Sequence, residues 1–92
     1  MVHILAEILI GDFDTFWNAF STNGAEMRKK HGCLSSQVFR VDGDPERIIL
    51  LFAWESKERY HAFLNDPEVR QTIQSGGTHG VVKVTFLDRA GE

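Results

Sequence analysis

Three side chains in this sequence combine a transferable proton with a suggestive setting. His79 sits in Gly76-Gly77-Thr78-His79-Gly80, where the glycines allow a loop to fold over a pocket mouth and bring an imidazole to it. His61 directly follows Tyr60 and suits general acid or base work where its side of a helix faces a cavity. Glu7 interrupts the apolar run HILAEILI, residues 3 to 10, and a carboxylate there has to be paired, hydrogen-bonded or poised as a base. Each has a plainer reading: an exposed loop histidine, a helix-flank histidine, and an interface ion pair with Arg40 as candidate partner. For Glu7 we favour the ion pair, because structural pairs perturb carboxylates as readily as catalysis does.

The remaining chemistry is sparse. Glu58 and His61 make half of a carboxylate-bridged di-metal motif, which needs a second such pair and further carboxylates, so no metal is expected. No phosphate-binding P-loop, GxGxxG, HExxH, CxxC or GxSxG occurs, and no organic cofactor is expected either. Any catalysis must come from isolated side chains around a pocket between sheet and helices. Trp17, Phe20, Phe39, Phe52 and Trp54 are candidates to line it, and are equally readable as ordinary core. His3 and His31 read as structural or surface residues. Arg28-Lys29-Lys30-His31 falls where a helix should end and reads as a solvated terminus whose cations complement the last carbonyls.

The elements that must position these residues follow from periodicity. HILAEILI is apolar on both faces, as in a mostly buried strand. From Asp12, a plausible N-cap, Phe13, Phe16, Trp17, Phe20, Gly24 and Met27 recur every three or four residues, the stripe of one amphipathic helix closed by Gly32. CLSSQVFRV, residues 33 to 41, is a more polar strand suited to an edge. The turn-rich stretch 42 to 46 then links it as a hairpin to IILLFAW, residues 48 to 54. Ser56 caps a short helix reaching Asn65, and Asp66-Pro67 restarts a second helical piece that Gly76-Gly77 stops. VVKVTFL, residues 81 to 87, closes the chain as a strand.

With 92 residues the chain fits one domain, residues 1 to 92, of α+β class. The order βαββαβ is that of a ferredoxin-like fold: a four-stranded antiparallel sheet with both helices on one face. Its first and third strands occupy the centre, and here they are the two most apolar. If the helices cover one face, the other presents Ile, Leu and Ala to solvent, and a second sheet is the natural cover. A homodimer packed sheet against sheet is therefore expected.

A net charge of −3 gives no basic field for a nucleic acid or an anionic membrane. No apolar run approaches the ~18 residues that a membrane span requires. The single cysteine, Cys33, and a start without a basic region or cleavage site lead us to expect a cytoplasmic protein.

The strand ending in Trp54-Glu55-Ser56, the segment Phe63-Leu64-Asn65-Asp66-Pro67-Glu68-Val69 and the closing Val84-Thr85-Phe86-Leu87 resemble the antibiotic biosynthesis monooxygenase-like branch of the dimeric α/β-barrel superfamily. That resemblance implies a dimer of ferredoxin-like chains. It also implies one of several chemistries: cofactor-independent monooxygenation of aromatic compounds, quinol oxidation, haem degradation, isomerisation or cyclisation. Oxygenases of the family carry a Trp at the end of the third strand and a Tyr six residues later, a spacing that Trp54 and Tyr60 match. They also use an Asn four residues before the Trp, where this chain has Leu50. Haem-degrading members carry an Asn on the first strand in the region of Glu7, so haem is not expected. The expected function is thus a small homodimeric enzyme acting on a hydrophobic, aromatic or quinone-like compound. Trp54, Tyr60, Trp17 and Phe39 would bind it while His79, His61 or Glu7 moves a proton. The alternative is a non-catalytic binding or structural dimer.

Overall fold

The computed structural model describes residues 1–91. The chain runs β1 (Val2–Ile10), α1 (Phe13–Ser21), α2 (Asn23–His31), β2 (Cys33–Val41), β3 (Asp44–Trp54), α3 (Lys57–Asn65), α4 (Pro67–Ser75) and β4 (Thr78–Leu87). One antiparallel sheet has the order β2-β3-β1-β4, which puts the two most apolar strands in the middle and the polar β2 at an edge. This is the ferredoxin-like α+β frame, with each of its two helical crossovers broken into a pair.

Local chemistry accounts for most boundaries. The Asp12 carboxylate accepts from the Thr15 amide at 2.9 Å and starts α1. Gly32, at φ 103°, closes α2 in a left-handed conformation that a side chain would strain. Ser56 accepts from the Arg59 amide, and Asp66 from Glu68 with Pro67 at the first helical position, so α3 and α4 start where the sequence indicates.

Three boundaries differ from expectation. The helix over residues 13 to 31 is interrupted at Thr22, whose φ and ψ of −109° and −100° are not helical. The Ser21 and Thr22 hydroxyls bond back to the carbonyls of Trp17 and Asn18, which competes with the helix ladder, and Asn23-Gly24 add little propensity to bridge the gap. The β2–β3 link is a two-residue turn, Asp42-Gly43, with Val41 paired to Asp44 and Gly43 at φ 81°. Pro45 is tolerated in β3 because it lies beyond Arg47, where the pairing with β1 ends. Finally, β4 begins at Thr78, so His79 belongs to a strand and not to a free loop.

Register sorts the side chains into two faces. Val2, Ile4, Ala6 and Ile8 lie opposite Trp54, Phe52, Leu50 and Ile48, and all eight are buried under the helices. Ile4, Ile10, Ile48 and Val69 are almost fully enclosed, each contributing roughly 1.5–3 kcal/mol by the usual transfer estimate. The alternate residues point the other way: Leu5, Leu9, Ile49 and Leu51 are only half-buried, and Phe39, opposite Ile49, is 50% exposed. The helix-free face is therefore an apolar surface across the two central strands.

Candidate functional site

Between the helices and the buried face of the sheet lies a partly enclosed cavity of about 150 Å³. Ala6, Leu50 and Phe52 form its floor, Phe16, Phe20, Met27 and Arg28 one wall, and Tyr60, Phe63, Val69 and Thr72 the other, with Val81 and Val84 of β4 at its edge. No His, Asp or Glu is among the lining residues, and Arg28 is their single charged group. The volume suits a single aromatic ring.

The polar groups at this cavity are few. Tyr60, 4% exposed, stands edge-on to Trp54 and Phe86, and desolvation raises its pKa, so at neutral pH it is a phenol able to donate a hydrogen bond. Arg28 departs from the solvated-terminus reading. It is 8% exposed and turned inward, with its guanidinium carbon 3.6 Å from the centroid of the Phe20 ring. Its Nη1 donates to the Phe20 carbonyl at 3.0 Å, one of the carbonyls left open where α1 ends at Thr22. Lys29 and Lys30 stay exposed, as expected of a terminus.

The sequence held a signal for Arg28: it follows Gly24 by four residues on the apolar stripe, so it shares that stripe's face. Gly24 also makes the room. A Cβ there would sit 3.2 Å from Arg28 Nη1 and 2.9 Å from the Ala19 carbonyl oxygen.

A second, open cleft of about 450 Å³ adjoins the cavity across Phe20. Phe13, Trp17 and Phe20 of α1 line it with Val38, Ser36 and the guanidinium groups of Arg28 and Arg40. Phe13 and Trp17 are stacked at 6.2 Å, and Arg40 lies over the Phe13 ring. Trp17 thus belongs to this cleft. Trp54 is fully buried behind the cavity wall, packed on Phe63 at 4.9 Å, and its indole N–H has no hydrogen-bond partner among the described residues.

The proton-moving candidates stand elsewhere. Glu7 is on the helix-free face, 3.2 Å from Arg47, which is also held by Asp44. Arg40 points to the helix side of the sheet, so Glu7 has Arg47 as its partner. His61 is exposed at the flank of α3, its ring 5.9 Å from that of Phe86. His79 is exposed and sits where the β1–β4 register skips a residue, between Gly80 opposite Leu9 and Thr78 opposite Ile10. Its imidazole covers Gly11. Phe39 is on the helix-free face with Glu7. Of the residues singled out, Tyr60, Phe20 and Phe52 line the cavity, with Trp54 behind it and Trp17 in the neighbouring cleft, while none of the three proton-moving candidates reaches it.

Two other groups are structural. His31 Nε2 lies 2.9 Å from Asp66 Oδ2, joining the end of α2 to the α3–α4 junction, and its ring meets Phe63 edge-on. Burial pushes the Cys33 thiol up, away from the reactive thiolate.

A ferredoxin-like sheet with paired helices over an aromatic cavity defines a class of small α+β proteins. The chain belongs to the antibiotic biosynthesis monooxygenase family, whose model matches residues 1–75. A comparison with curated protein sequences gives no match. Solved structures agree in fold. SnoaB, a cofactor-independent oxygenase from Streptomyces nogalater, superposes with a TM-score of 0.79 at 11% identity, over 99% of this chain and 94% of that one. A protein from Chloroflexus aurantiacus assigned by name to the antibiotic biosynthesis monooxygenases gives 0.73 at 22% identity, over 99% and 94%. Another from Deinococcus radiodurans gives 0.68 at 19%, over 100% and 94%. Among the described residues no helix is long and apolar enough to cross a membrane.

Proposed function

We propose that this chain works in the cytoplasm as a homodimer, joined through its helix-free sheet face. It would act without metal or organic cofactor on a small aromatic or quinone-like compound held in the cavity. The observation that carries this reading is the cavity itself: an apolar, ring-sized space with one neutral phenol, Tyr60, and one cation, Arg28, on its walls. The cofactor-independent oxygenase of the same fold supports the reaction type.

In such an oxygenation the substrate supplies the electrons: a phenol and dioxygen give a quinone and water, with all atoms accounted for. The protein's part is to hold the ring, exclude bulk water and donate a hydrogen bond to the oxygen that gains charge. Tyr60, the neutral phenol among the lining residues, would take the last task. Trp54 backs the wall that holds the ring, and Trp17 lines the neighbouring cleft. Isomerisation or cyclisation would use the same positioning.

One observation favours a second reading, a non-catalytic binding dimer: the cavity wall carries no imidazole or carboxylate to remove a proton. Oxygen uptake separates the two. Metal-free protein incubated in air with a panel of phenols and quinols should consume oxygen in step with quinone formation. Val84→Trp, which fills the cavity from β4, should stop it. Thermal stabilisation by the panel without any oxygen uptake supports the binding dimer instead.

A further inference from the structure

We infer that Arg28 is the anchor for an anionic oxygen, so that the cavity's ligands are single-ring aromatic compounds that carry their own negative charge. This rests on the cavity being the ligand site, and it names the ligand class.

Arg28 is 8% exposed, yet the ion pairs of the described residues join His31 to Asp66, Arg47 to Glu7 and Asp44, and Arg59 to Glu55, and none reaches Arg28. Its hydrogen bond to the Phe20 carbonyl uses one of five N–H donors. A largely desolvated cation without a counter-charge is unfavourable relative to water, and a bound anion would offset that cost. Burial already weighs against the charged form of Arg28.

The local charge pattern points the same way. The chain as a whole is acidic, at −3, but neither the cavity nor the cleft has an Asp or Glu among its lining residues. Their charged groups are Arg28 and Arg40, and Arg28 borders both spaces. The Phe20 ring sits 3.6 Å from the guanidinium carbon and its carbonyl takes only an Nη1 hydrogen, so other N–H groups of the fork remain to donate to a planar anion.

The test is a binding comparison of benzoate with benzamide, equal in size and different in charge, measured by calorimetry at fixed low ionic strength. Benzoate should bind wild type at least about tenfold more tightly, the worth of a charge-assisted hydrogen bond, and Arg28→Gln should reduce that preference to about twofold or less. Arg28→Lys should keep part of it. The Arg28 Nε–H resonance of wild type should shift with benzoate and not with benzamide, a readout that holds even if Arg28→Gln folds poorly. Equal binding of the two probes overturns the anchor and leaves the cavity reading standing. No binding of either overturns both. An Arg28→Gln variant that folds and keeps the benzoate preference shows that Arg28 only caps α1.

Discussion

The Arg28 guanidinium lies 3.6 Å from the Phe20 ring centroid and donates to the Phe20 carbonyl at 3.0 Å. One residue thus closes the broken end of α1, forms a wall of the cavity and supplies its charge. The break at Thr22 makes this geometry possible, because an unbroken helix would have used the Phe20 carbonyl internally at the Gly24 amide.

Gly24→Ala tests how tightly this corner is built. Helix propensity alone would favour Ala by about 1 kcal/mol. A Cβ 2.9 Å from the Ala19 backbone oxygen, however, forces backbone and not just a side chain to move. Overpacking of that kind costs roughly 1–3 kcal/mol, so a net loss of stability is expected in urea unfolding. A gain would show that the α1–α2 junction is plastic.

Leu50 and Leu51 are neighbours in sequence on opposite faces of β3. Leu50→Lys places a charge under the helices and should cost more than the ~2–5 kcal/mol of a simple truncation, leaving little folded protein. Leu51→Lys should keep native circular dichroism and sediment as a monomer, in contrast to the dimer proposed for wild type. A folded Leu51→Lys that remains dimeric argues against association through this face.

Trp54→Phe separates packing from hydrogen bonding. The indole N–H has no partner among the described residues, so its loss forfeits no hydrogen bond there, and the change should cost far less than the ~3–5 kcal/mol expected for Trp54→Ala. If Trp54 only supports the wall, Trp54→Phe should leave benzoate affinity within about twofold of wild type. A larger loss in a stable variant would assign the N–H to the ligand.

The Asp66 pKa is lowered first by the hydrogen bond from His31 and then by the Glu68 amide. A carboxyl with a depressed folded pKa adds stability above its unfolded pKa and loses it as pH falls through the folded value. Asp66→Asn should therefore melt below wild type at neutral pH. The gap should close on acidification through and below the ordinary carboxylate range, as followed by melting temperature. A gap that is constant with pH would mean that the charge contributes nothing.

Much of the frame was legible because caps and breakers act locally. Asp12, Gly32, Ser56 and Asp66-Pro67 mark their helix ends in the sequence, and the apolar strands mark the centre of the sheet. The Thr22 break was hidden because the stripe from Phe13 to Met27 keeps its period across it. Arg28 is hidden in a basic run whose two lysines are solvated, and only its spacing from Gly24 separates it from Lys29. Phe39 and Glu7 show a different limit. Alternation tells which residues share a face, but only the register of β2 and β1 against β3 tells which face meets the helices. His79 reads as a loop residue in the sequence because Gly76, Gly77 and Gly80 weaken a strand signal that pairing with β1 restores.

Where a ligand binds is the point on which the rest depends. Titration of a phenol or quinol into isotope-labelled protein, read by amide and side-chain NMR shifts, locates it directly. Shifts that concentrate on Phe20, Arg28, Tyr60 and Thr72, with Leu5 and Leu51 on the helix-free face unmoved, would place the ligand in the cavity as proposed. Saturable shifts confined to the helix-free face, or none across the panel, would contradict it.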